Sequence, residues 1–204
     1  MMQRRSLLKG VLAGSGLALS PFGAAFAHEP TPQEVFADPN APVLGNPEGD
    51  VTVVEYFDFQ CTYCKRDYPM VRDVVAKDGN VRLVMKDWPI FGEVSVYAAQ
   101  AVQGAAALGE YDTALNALMT AQGRLTHERI ETLLTAAGLD FDAIAEAVKA
   151  NEKKISDLLD RNYHQAEAFQ FNGTPSYVIG RMVYPGVLDR IMLESAIAEA
   201  RSAG

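Results

Sequence analysis

Cysteine is nearly absent from this chain: two residues, Cys61 and Cys64, in 204. A protein stapled by disulfides would spread several cysteines along its length, so a disulfide framework is excluded. Histidine is scarce as well, with only His28, His127 and His164. A zinc site built on the two cysteines would need two more ligands, and no two histidines lie near each other in sequence. Basic residues are few, 18 against 26 acidic ones. An acidic chain argues against nucleic acid and anionic membrane surfaces as partners. Beyond residue 27 no apolar run approaches the ~20 residues that cross a bilayer.

The first 27 residues differ from the rest. Arg4, Arg5 and Lys9 stand there without any acid, a Gly- and Ala-rich apolar stretch runs from Gly10 to about Phe26, and Ala25-Phe26-Ala27 closes it. This is the layout of a bacterial export signal cleaved after Ala27. Gln3-Arg4-Arg5-Ser6-Leu7-Leu8-Lys9 is similar to the twin-arginine export motif, with Gln before the arginines and Leu where Phe is usual. A Sec-type signal with a chance arginine pair is the alternative, and an uncleaved anchor a third. Cleavage would leave 15 basic and 26 acidic residues, a formal charge of −11. The chain is then expected to be an exported, soluble, single-domain protein of an oxidising compartment, the periplasm of a Gram-negative bacterium.

Residues 28–49, rich in Pro and Gly, are expected to be a lead-in without a periodic element, Val35 and Phe36 packing on the domain. Val51 to Phe59 is β-branched and aromatic, the pattern of a central strand. A helix is expected from about Cys61, with Tyr68, Val71, Val74 and Val75 on its apolar face, ended by Asp78-Gly79-Asn80. Val81 to Trp88 is the next strand, which makes a βαβ unit. From about residue 92 to 171 the pattern is helical, four or five helices without a strand, with starts at Thr126 and Asp140. Ser176 to Gly180 is a strand, Met182 to Tyr184 pairs back on it, and Leu188 to Ala200 is a last helix with Leu188, Ile191, Met192 and Ile197 inward. The predicted fold class is α/β: a thioredoxin fold over residues 50–204 with an all-helical insertion at about 92–171.

Glu55-Tyr56-Phe57-Asp58-Phe59-Gln60-Cys61-Thr62-Tyr63-Cys64-Lys65, together with Asn172-Gly173-Thr174-Pro175-Ser176-Tyr177-Val178-Ile179-Gly180, resembles the DsbA-type thioredoxin-like oxidoreductases. Ala41-Pro42-Val43-Leu44-Gly45-Asn46-Pro47 and the helical insertion fit that family too. The resemblance implies disulfide exchange with cysteine-containing exported proteins, without a cofactor or metal. Position at a helix N-terminus lowers a thiol's pKa from ~8.5 to about 3.5–7.5, so Cys61 is expected to be the exposed nucleophile. Cys64, one turn on, is expected to be the buried resolving thiol.

The resemblance also implies that Glu55, buried in its strand, moves the proton of Cys64, with Lys86 on the neighbouring strand as its candidate partner. It implies that Thr174 and a cis Pro175 face the cysteines and present backbone to a substrate. Thr62 and Tyr63 lie between the cysteines; with Trp88, Pro89, Ile90 and Phe91, Tyr63 could line a substrate groove. His164 is expected to be structural. The implied partner is a membrane redox protein, a DsbB-like quinone-linked oxidase or, for a reductase, a DsbD-like one. Thr before the proline resembles the dimeric isomerases, but only 22 residues, 28–49, precede the first strand, which favours a monomeric dithiol oxidase over a reductase or isomerase. A chaperone or a Cu(I)-binding protein using both thiolates is the reading from another class, although no Met- or His-rich tract supports copper.

Overall fold

The computed structural model describes residues 29–204. The expected export segment and His28 lie outside the described residues. Five strands form one sheet in the order β1-β3-β2-β4-β5. β2 (Val51–Phe57) is the central strand and pairs in parallel with β3 (Val81–Asp87) across α2 (Thr62–Asp78). β4 (Ser176–Ile179) runs antiparallel on the other side of β2, and β5 (Met182–Pro185) folds back on β4 as the expected hairpin.

Both faces of the sheet are covered, which is why β2 is almost continuously apolar rather than alternating with polar residues. Val53 and Phe57 enter one core with Tyr68, Val71, Val74 and Val75 of α2, whereas Val54 and Tyr56 enter a second core with Val84, Trp88, Leu158 and Phe171. Glu55 shares the parity of Val53 and Phe57, so it points into the α2 side. α2 ends where Gly79 adopts the left-handed region at φ 70° and its N–H bonds to the Val75 carbonyl.

Between β3 and β4 come α3 (Glu93–Ala107), α4 (Tyr111–Met119), α5 (His127–Ala136), α6 (Phe141–Ala150) and α7 (Glu152–Ala168), the expected insertion. Thr126 and Asp140 cap α5 and α6, accepting from the N–H groups of Arg129 and Ala143. α8 (Arg190–Ala203) closes the chain. The arrangement is a thioredoxin fold carrying an all-helical insertion.

Two local expectations need correction. The lead-in holds a short helix, α1 (Pro32–Phe36), and an edge strand, β1 (Val43–Gly45). Thr31 and Glu34 form a reciprocal capping box around Pro32, and β1 pairs with β3 far along the chain. Neither is long enough to show a period. In α8 the inward face is Leu193, Ala196 and Ile197, while Ile191 is 77% exposed and Met192 50%. Asp189 accepts from Met192 N–H and so starts the helix after Leu188; that phase turns Ile191 and Met192 outward.

Candidate active site

β2 delivers the chain to α2 through a four-residue turn, Asp58 to Cys61, held by one buried carboxylate. Asp58 Oδ1 accepts from Gln60 N–H at 2.6 Å and the Ser95 hydroxyl at 2.7 Å. Its Oδ2 accepts from the backbone N–H groups of Ile90 at 2.7 Å and Phe91 at 3.1 Å. One side chain thus ties the cysteine turn to the β3–α3 loop. Asp58→Ala should cost about 3–5 kcal/mol by stranding these donors, read as a lower urea midpoint with unchanged slope.

Cys61 is the N-cap of α2, and its sulfur accepts the Cys64 backbone N–H at 3.2 Å. The thiol lies 3.2 Å from the Thr174 carbonyl, so the loop before β4 closes over it. The Thr174–Pro175 bond is cis. Both cysteines are free thiols. Donation from the Cys64 thiol, with help from Thr174 and the backbone N–H groups of Cys64 and Tyr63, holds Cys61 at about 6 against the opposing effect of burial. Burial, the shared hydrogen bond and the neighbouring Cys61 charge push Cys64 far up. At neutral pH the pair is therefore one thiolate and one thiol.

The expected exposed nucleophile is a correction: Cys61 is only 2% exposed and Cys64 fully buried. The Thr174 carbonyl lies against the sulfur, so an incoming sulfur has a narrow approach. The Thr174 hydroxyl is buried without another hydrogen-bond partner, which leaves it available to a Cys61 thiolate. Thr174→Val should raise the Cys61 pKa by about one unit, followed as thiolate absorbance against pH.

Glu55 is 2% exposed and one of its oxygens has no hydrogen-bond partner. Burial first, then the Cys61 and Asp67 charges, raise its pKa to about 8, against the effect of the Tyr177 hydroxyl beside it. The Glu55 charge in turn adds to the effects that push Cys64 up. Lys86 is not its partner. Glu55 is in register with Met85, and Lys86 with Tyr56, so Lys86 emerges on the opposite face of the sheet. There it is fully buried, donates to the Glu34 carbonyl at 3.0 Å and stands 4.0 Å from Asp38, itself held by Arg161. Desolvation lowers Lys86 to about 8.

Trp88 is also displaced from the expected groove: it is 5% exposed and packs in the second core, with Phe171 at 6.4 Å between ring centroids. Tyr63 is 56% exposed, its ring covered by the Arg66 guanidinium at 5.0 Å, and Phe91 is 53% exposed. Thr62 and Phe91 line one surface groove beside the cysteines, together with Gln60, Lys65, Arg66 and Arg124. His164 lies on the exposed face of α7 beside Glu167. Sequence reasoning missed Asp58, Tyr177 and the buried Asp87, whose carboxyl is raised to about 7 by desolvation and accepts from Gln103 at 2.6 Å. Asp58 was recoverable: an Asp between Phe57 and Phe59 just ahead of a helix start is an Asx-turn signal, and its carboxylate accepts from Gln60 N–H two residues on. Among the described residues, no group of three or more His, Cys, Asp or Glu could hold a metal ion.

A thioredoxin family model matches residues 37–199. A thioredoxin-like oxidoreductase from Silicibacter pomeroyi is 39% identical, with a TM-score of 0.82 over 86% of this chain and 100% of that one. A periplasmic thioredoxin-like protein from Salmonella enterica serovar Typhimurium is 26% identical, with a TM-score of 0.73 over 83% of this chain and 95% of that one. The Na+/H+ antiporter NhaA 1 of Mycolicibacterium gilvum is 28% identical over 162 residues, 78% of this chain but 26% of that protein. The chain thus spans about a quarter of the length of the curated relatives it matches, and among the described residues no helix is long and apolar enough to cross a membrane. With a cysteine pair of unequal acidity at the end of the central strand, this chain belongs to the thioredoxin family.

Proposed function

We propose that the protein is a dithiol oxidase that passes its Cys61–Cys64 disulfide to exported proteins in the periplasm. The observation that carries this reading is the held Cys61 sulfur. Donors at the start of α2 stabilise its thiolate, and hence the reduced pair, which makes the disulfide the better oxidant.

In the forward step a substrate thiolate attacks Cys61 Sγ. The Cys61–Cys64 bond breaks, the mixed disulfide forms, and Cys64 leaves with the electron pair. Glu55, protonated below its raised pKa of about 8, is the proton donor to Cys64. A second substrate thiolate then attacks the substrate sulfur and releases Cys61 as the stabilised thiolate. Two electrons pass from substrate to protein, and a membrane partner of the quinone-linked class takes them on. Thr174 and Pro175 offer backbone to the substrate segment, and Thr62 and Tyr63 flank it. Export through residues 1–27 and a monomeric state complete the reading.

The test is a pair of assays on the purified chain. An oxidase speeds refolding of reduced hirudin in oxidised glutathione and is slow in reducing insulin. The reverse pattern makes it a reductase, and inactivity in both makes it a binding protein.

A further inference from the structure

The groove that starts at the cysteine turn is cationic on an acidic protein. Gln60 and Thr62, on either side of Cys61, line it, and Lys65, Arg66 and Arg124 supply its charge. Among the described residues, no acidic side chain lines it. The chain as a whole carries a formal charge of −8.

Elsewhere four of the six described arginines are engaged by carboxylates, Arg72 by Asp112, Arg161 by Asp38, Arg190 by Asp73, Arg201 by Asp50 and Asp78, while Arg82 donates to the Phe36 carbonyl. Here most are not. Arg66 holds Asp67, but Lys65 donates only to the Ala121 carbonyl at 3.2 Å. Arg129, adjoining the groove, donates to the Gln122 carbonyl at 2.7 Å. Arg124 is exposed, and among the described residues no hydrogen bond or ion pair engages it. Burial first, then the Arg129 charge, lowers the Lys65 pKa against the opposing effect of the buried Asp58, so two like charges are held near each other at the groove. The groove is also fixed to the reacting cysteine, because Gln60 accepts Leu125 N–H at 3.1 Å and anchors residues 121–125 to the Cys61 turn.

The geometry points to a substrate class: extended polypeptide segments carrying Asp or Glu within a few residues of the reacting cysteine, their carboxylates seated on Lys65, Arg124 and Arg129. This rests on the disulfide-exchange reading and deepens it. The protein's net negative charge opposes such substrates at long range. At physiological salt, though, the screening length is about 8 Å, so contact with the groove outweighs the distant field.

The test uses the full chain in its oxidised form and three single-cysteine peptides of equal length, flanked by Glu, Gln or Lys. Each rate of mixed-disulfide formation is divided by that peptide's rate with hydroxyethyl disulfide, which removes differences in intrinsic thiol reactivity. At 0.15 M salt the Glu peptide should react about tenfold faster than the Lys peptide, and the ratio should collapse toward one at about 1 M salt. Arg124→Glu should cut the ratio to threefold or less. The same charge change at Arg181, beyond the far end of β4, should leave it intact. Equal normalised rates, or a ratio indifferent to Arg124→Glu, overturn the substrate class while exchange stands. No reaction with any peptide, the Gln one included, overturns the exchange reading and this one with it.

Discussion

Replacing Cys61 with serine should reduce disulfide exchange to the uncatalysed background, while Cys64→Ser should yield a protein that reacts once and stays attached. The asymmetry follows from the pair's electrostatics. Cys61 is the sulfur that is ionised near neutrality, with a pKa of about 6, and only a thiolate attacks a disulfide. Cys64 is fully buried, and its thiolate is strongly disfavoured. In the reduced Cys64→Ser protein, Cys61 attacks a disulfide substrate and nothing resolves the product. Mass spectrometry under non-reducing conditions should show covalent adducts on Cys61 only. Alkylation of Cys61 in the wild-type chain should rise with pH to a plateau, with its midpoint near 6. A midpoint near ~8.5, that of an ordinary thiol, would remove the basis for the division of labour.

Glu55→Gln should make the protein more stable and less active. Burial above all holds the carboxyl at about 8 in the fold, against its ordinary 4.5. Between those values the unfolded chain has lost a proton that the folded chain keeps, so stability falls as pH rises from about 4.5 to 8. At pH 7 the cost of this one group is about 3 kcal/mol. A glutamine has no proton to lose. For a domain of this size the gain is a rise in Tm of roughly 6–12 °C at pH 7, shrinking to little at pH 4. The same variant should slow turnover, because Cys64 loses its proton donor, and should flatten the pH profile near 8. A Glu55→Gln protein with unchanged turnover would make Glu55 a structural acid only.

Most of this molecule was legible because its signals are local. β2, α2, β3 and the caps at Thr126 and Asp140 are each announced by a few neighbouring residues. What was not legible depends on partners distant in sequence. β1 is three residues long and exists because β3 offers it an edge. Lys86 stood close to Glu55 on paper, but the two were separable only by the register that pairs Lys86 with Tyr56. Trp88 closes β3 and turns into the second core with Phe171, which comes more than 80 residues later. The helical motif around Cys61 indicates an activated sulfur, yet its cover comes from Thr174, 113 residues along the chain. The cationic groove likewise joins residues of the Cys61 turn to a loop of the insertion, a juxtaposition that composition alone conceals.

The most direct test of the oxidase reading is the equilibrium of the Cys61–Cys64 pair with a graded glutathione buffer. Members of this superfamily span about −120 to −270 mV, roughly 7 kcal/mol, from strong oxidant to reductant. Stabilisation of the Cys61 thiolate predicts a potential above about −200 mV, and Thr174→Val should lower it. A value near that of thioredoxin, about −270 mV, would contradict the reading and make the protein a reductase.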